Sequence, residues 1–162
     1  MKQLICPLLA LSIFFVGCKS RCIEDSGNHI EKSSVVKNFN KIDVSGTLKI
    51  ILKQDSSYAI KIAADSNVVN AIKMDVSSNE LRISMKEGSY CGSDSIVVQV
   101  GIGELKELRT DGAVSLLTEG NIFADDVAFE FAGSSDVNLA LNAGKVTTRM
   151  EGAGKLTLSG QA

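Results

Sequence analysis

Tryptophan is absent from this 162-residue chain, proline occurs once, and only 5% of the residues are aromatic. A thick core built on large rings is therefore excluded, and the supply of Val, Ile and Leu suits thin, layered β-structure in one domain of modest core. There is a single histidine, His29, and it lies in a polar stretch. A Ser-His-Asp or Cys-His arrangement thus lacks a positioned base. Net positive charge is also missing: the formal balance is −2, which argues against electrostatic binding of nucleic acid. Gly101-Ile102-Gly103 has neither the remaining glycine nor the following helix of a dinucleotide fingerprint. The four cysteines show no paired metal-site spacing. No metal and no cofactor is expected.

What is present begins with a short basic start, Met1-Lys2-Gln3, and an apolar run from Leu4 to Val16. That run is too short to span a bilayer comfortably but suits the central part of a signal peptide. It ends Phe15-Val16-Gly17-Cys18, which is similar to a bacterial lipobox. Residues 1–17 are expected to be removed and Cys18 to become the lipidated first residue, with the membrane as its partner. Several acyl chains, at about 0.8 kcal/mol per buried CH₂, make such an anchor effectively permanent. Cys6 leaves with the signal. Cys22 and Cys91 remain in an oxidising compartment, and a disulfide between them is the natural pairing.

Residues 18–38 are polar and aperiodic, and read as a flexible tether. Within them Glu24-Asp25 loosely resembles the acidic export signals of surface lipoproteins, although a solvated linker explains it as well. From Phe39 the chain alternates. Strands are expected over 39–46, 47–54, 58–63, 80–86 and 96–102, with a short helix near 67–73 capped from Asp65-Ser66-Asn67.

Beyond Leu105 a phrase recurs. Leu108-Arg109-Thr110-Asp111-Gly112-Ala113 is followed by Phe129-Glu130-Phe131-Ala132-Gly133-Ser134, and then by Arg149-Met150-Glu151-Gly152-Ala153-Gly154. Its central glycines are 21 and then 19 residues apart. Each copy is an alternating run, a glycine, and a second alternating run. A repeat of this length without a helix predicts a β-solenoid with one coil per copy, its rungs about 4.8 Å apart.

These segments together resemble the head GIN domain of the auto-transporter adhesin family. The likeness is carried by Phe39-Asn40-Lys41-Ile42-Asp43-Val44-Ser45-Gly46, Asp65-Ser66-Asn67-Val68-Val69, Asn79-Glu80-Leu81-Arg82-Ile83 and the Gly-Ala and Gly-Ser repeats, in that order. The resemblance covers 39–162. It implies an all-β, right-handed parallel β-helix-like fold in a secreted or lipid-anchored protein of a Bacteroidetes-like bacterium. It carries no catalytic residues. The sequence reaches Leu158-Ser159-Gly160-Gln161-Ala162 in mid-phrase, so a C-terminally truncated domain, or self-association through an uncapped last coil, is expected.

Two carboxylates need weighing, because β-helices host sugar-cleaving enzymes. Asp111 and Glu151 hold the same place in their copies, with Ala132 between. In register they stand two rungs apart, about 10 Å, near the upper end of the separation in inverting glycosidases. Two solvated corner residues are the plainer reading. Asp125, Asp126 and Asp136 sit near glycine turns but lack the spacing of calcium-binding β-rolls. The reading that results is a lipid-anchored cell-envelope module, outer-membrane attached, that binds a surface glycan or protein without catalysis. A carbohydrate-active enzyme using Asp111 and Glu151, or a non-functional truncated product, are the alternatives.

Overall fold

The computed structural model describes residues 22–85, 89–92 and 95–161. The signal segment 1–17, Cys18 and Lys86 lie outside them. In chain order the elements are β1 (Cys22–Ile23), β2 (His29–Val35), β3 (Lys41–Gln54), β4 (Ala59–Asp65), α1 (Ser66–Ala71), β5 (Ile72–Ser77), β6 (Glu80–Met85), β7 (Ser89–Tyr90), β8 (Val97–Ile102), β9 (Glu107–Glu119) and β10 (Ile122–Gln161).

Among the described residues the protein is all-β apart from α1, and eight strands share one mixed sheet. The principal path runs β10-β9-β3-β8-β4-β2, with β6 on the other half of β3 and β5 beyond it. The expected coil per copy does not describe the whole sheet: β2–β4, β4–β8 and β5–β6 pair antiparallel. For β5–β6 the reason is local. Ser78 and Asn79, both at positive φ, form a two-residue turn that folds β5 back on β6.

Residues 39–46 and 47–54, read as two strands, are one. β3 bends at Gly46 and pairs with β9 from Lys41 to Lys53, with Gly46 opposite Gly112. β9 pairs in the same way with β10, with Gly112 opposite Gly133. Before the glycine, Ile42, Val44, Leu108, Phe129 and Phe131 are buried. After it, Leu48, Ile50, Leu52, Val114, Leu116, Val137 and Leu139 are buried too. Each bent strand thus has two arms that line a single core. The arms meet near the bend, where the buried hydroxyls of Thr110 and Ser135 lie 3.1 Å apart. Each satisfies the other in an apolar setting.

The bend requires glycine for two reasons. Gly112 has φ +112° and Gly133 has φ +82°. A Cβ at Gly112 would lie 2.6 Å from the Gly46 carbonyl oxygen, and one at Gly133 would lie 2.5 Å from that of Gly112. A Cβ on Gly152 would strike the Gly133 carbonyl in the same way.

The helix starts one residue earlier than expected and ends at Ala71, because Ile72 is already extended. Asp65 is its N-cap and accepts from the Asn67 N–H at 3.4 Å. Part of the stretch read as a tether is structured. His29–Val35 pairs with β4 from His29–Asp65 to Val35–Ala59 as an edge strand. Only Ile30 and Ser34 on it are partly buried, and of these only Ile30 is apolar, so its sequence shows little alternation. Cys22 and Cys91 have Cα atoms 5.8 Å apart, and their sulfurs are at bonding distance. No helix among the described residues is long and apolar enough to cross a membrane.

Candidate functional site

Residues that alternate with the buried ones on the first arms point outward, and register decides which of them become neighbours. Asp75 lies opposite Arg82, Arg82 opposite Asp43, Asp43 opposite Arg109, and Arg109 opposite Glu130. Charge alternates in sign along this row. A second row places Glu80 beside Lys41 and Lys41 beside Glu107. Opposite charges directly across parallel strands contribute a few tenths of a kcal/mol each, about 0.2–1 at most, and like charges would oppose pairing.

The rows are cross-linked. Lys41 meets Glu107 at 2.8 Å, and Arg109 meets Glu130 at 3.1 Å and also pairs with Glu107. Arg82 meets Glu80 at 2.6 Å and Asp43 at 3.9 Å. On the next turn of β10, Arg149 bonds Glu151 at 2.5 Å.

A cleft of about 290 Å³ opens in this face. Its lining includes Asp43, Arg109, Asp111, Glu130, Arg149 and Glu151, with Ala132 among them. Ala132 lies opposite Asp111, so a methyl group stands where neighbouring rows carry long side chains. Asp43 is half-buried beside the cleft. Burial pushes its carboxyl above the ordinary range, Glu80 adds to the rise, Arg82 and Arg109 oppose it, and Asp111 adds a little more.

Asp111 and Glu151 do share this cleft. Both are exposed, and Glu151 is held by Arg149. Asp125, Asp126 and Asp136 belong to no metal-competent cluster among the described residues. The one such group there is Cys22, Glu24 and Cys91, but sulfurs bonded to each other offer no thiolate. His29 stands exposed on β2, opposite Asp65.

Two arrangements escaped sequence reasoning. Asp65 is almost fully buried. Its carboxylate accepts from the Ser26 hydroxyl, and from the Asn28 N–H at 3.1 Å. The Ser26 bond is the main cause that pulls its pKa below the usual carboxylate value; burial opposes it, and the Ser26, Asn67 and Asn28 N–H groups assist. The Gln54 amide donates to the Gly103 carbonyl at 3.1 Å and the Phe123 carbonyl at 2.9 Å, and accepts from the Phe123 N–H at 2.9 Å. It clamps the entry to β10 and leaves the Phe123 ring 60% exposed. The helix-cap signature at Asp65 was visible in the sequence; its partners 37 and 39 residues away were not.

The bent, glycine-hinged strands and the ionic outer face define an all-β domain built on an open mixed sheet. Residues 38–162 match the family described as "putative auto-transporter adhesin, head GIN domain", and the chain belongs to that family. No curated protein matches the sequence. Among solved structures, a putative adhesin from Parabacteroides merdae superposes with TM-score 0.73 at 18% identity, over 84% of this chain and 58% of that one. A putative adhesin from Bacteroides fragilis gives 0.73 at 21% identity, over 83% and 63%. A putative lipid binding protein from Parabacteroides distasonis gives 0.65 at 16% identity, over 86% and 70%. The chain therefore spans 58% and 63% of the first two relatives' lengths. These likenesses concern the fold.

Proposed function

We propose that this protein is a lipid-anchored, non-catalytic binding module of the cell envelope that engages a surface glycan or protein through the ionic outer face of its first arms. The observation that carries the reading is the cleft around Ala132, walled by charges of both signs, among them the Arg109–Glu130 and Arg149–Glu151 pairs. Such a wall offers hydrogen-bond donors and acceptors in fixed positions, as polyol or polar peptide recognition requires. Membership of an adhesin family supports the same reading. Attachment would be through Cys18 after removal of residues 1–17, and residues 39–162 would form the binding domain. Residues 107–161 would stack as a right-handed solenoid-like unit, supported by the in-register parallel pairing of β3, β9 and β10.

A glycan array and an overlay on envelope proteins, run with wild type and an Arg149→Ala/Glu151→Ala double variant, test the proposal. Binding that falls at least roughly tenfold in the variant is expected, the equivalent of about 1.4 kcal/mol. Binding that is unchanged removes the cleft from the function, and no binding to either set removes the module reading. A second reading keeps Asp111 and Glu151 as a hydrolytic pair, because both line the cleft. It requires glycan hydrolysis that disappears in Asp111→Asn.

A further inference from the structure

The segment read as a long flexible tether is fastened to the domain almost from its start. Cys22 is joined to Cys91. The Cys91 N–H donates to the Ile23 carbonyl at 3.1 Å, and the Tyr90 hydroxyl to Asp25 at 2.5 Å. Asn67 donates to the Glu24 carbonyl. Ser26 and Asn28 bond Asp65, and β2 follows at once. Residues 22–35 are thus held by side-chain bonds at one end and a ladder at the other.

This changes the geometry of membrane attachment, an inference that rests on the lipidation of Cys18 proposed above. We infer that the domain lies directly against the bilayer, its side around the Cys22–Cys91 bridge facing the headgroups. From Cys18 to Cys22 the chain advances four residues, which spans at most about 14 Å when fully extended. A tether free to residue 38 would reach about 70 Å. Even fully extended, the chain from Cys18 to Cys22 spans under two Debye lengths of about 8 Å at physiological salt, and any slack brings the bridge region closer to the lipid surface. Tyr90 and Gly92 lie beside the bridge. Together with Thr47, Lys49 and Ser95 they line a separate cleft of about 480 Å³, which is the surface brought nearest the headgroups. The protein is consequently oriented by a short leash, and the disulfide is the device that keeps the leash short.

The test uses the full lipidated chain in vesicles of phosphatidylethanolamine and phosphatidylglycerol, treated with trypsin. Lys19 and Arg21 are the cleavable bonds of the leash, and a cut there frees the domain. Cuts farther on leave it attached through the bridge. Wild type is expected to resist release. A variant with a flexible Gly/Ser insert of about twelve residues between Ser20 and Arg21 keeps the bridge and the fold. It should release at least roughly tenfold faster, because cleavage follows the accessibility of the segment. Cys91→Ser should also release faster than wild type. Equal release rates for wild type and the insert variant would overturn the short leash. Vesicle flotation separates this from the underlying reading. Wild type that floats while Cys18→Ala does not supports lipidation. Wild type that fails to float overturns lipidation and the leash with it.

Discussion

β9 lies parallel on β3 and β10 parallel on β9, with glycine opposite glycine at each bend. Between Ala59 and Ile102, β6 and β8 also lie parallel on β3, but β5 turns back on β6 and β4 runs against both β8 and β2. The first region is specified by repetition. Every rung presents the same alternation and the same hinge, so one rung templates the next. The second region is specified by individual contacts: a two-residue turn, a capped helix, a cysteine pair and the buried Asp65. A repeat tolerates change in its outward residues and very little at its hinge, whereas the insertion depends on single groups whose partners are far away in sequence.

The largest effect should come from the hinge. Gly133→Ala combines a positive φ with a Cβ 2.5 Å from the Gly112 carbonyl, and should cost about 3 kcal/mol or more. Gly120, at φ +79°, has open space around it, and Gly120→Ala should cost only about 1–2 kcal/mol. Urea unfolding of both variants measures the contrast, and equal losses would show that close approach is not what the hinge needs. Next comes the core of the repeat. Phe129→Ala removes a fully buried ring stacked on Phe131 at 5.8 Å between centroids, for about 3–5 kcal/mol. Phe123→Ala, at an exposed ring, should stay within about 0.5 kcal/mol.

In the insertion, loss of the cysteine pair through Cys22→Ser/Cys91→Ser should cost about 2–4 kcal/mol, since it closes a span of 69 residues. Thermal melting of the double variant checks this, and wild type under reductant should melt like it.

The smallest effects are the two aspartates, which should respond to pH in opposite directions. The Asp65 carboxyl is held below its ordinary value. Its contribution is therefore present above the unfolded carboxylate pKa and is lost as pH falls through the lower folded one. The advantage of wild type over Asp65→Asn should shrink on acidification. The Asp43 carboxyl is raised, so its ionisation opposes folding at neutral pH and ceases to do so below the unfolded value. Asp43→Asn should be neutral or slightly stabilising at pH 7, with the difference gone in acid. Denaturant titrations across pH 3–7 of the two variants would show curves that converge from opposite sides. Curves that converge from one side would break the assignment of Asp43.

Much of the repeat was legible beforehand. Leu108, Phe129 and Val137 alternate with charged or polar neighbours, and alternation is a local property of strands. The hinge glycines stood out because only glycine accepts that φ without strain. Gly46 was harder to place, since its copy of the phrase lies 66 residues before Gly112 with an insertion between. His29–Val35 read as linker because Ile30 is its only partly buried apolar residue, too few for an alternating pattern. The ionic face was legible only in part: the repeat aligned Asp111 with Glu151, but not the partners that β3 and β6 supply. Asp43, Arg109 and Glu130 are far apart in the chain, and a one-residue slip in any pairing would send them to the other side.

By itself the sequence determined the strand class, the hinge positions, the family of the chain and the anchor expected at Cys18. These follow from period, from backbone sterics and from a contiguous motif, each of which is written within a few residues. Tertiary structure alone decided the mixed topology, the alternating charges around Ala132 and the fastening of residues 22–35 to the rest of the domain. Those depend on register and on pairs such as Ser26 with Asp65, where free energy is set by which distant groups meet, and a linear pattern does not encode that meeting.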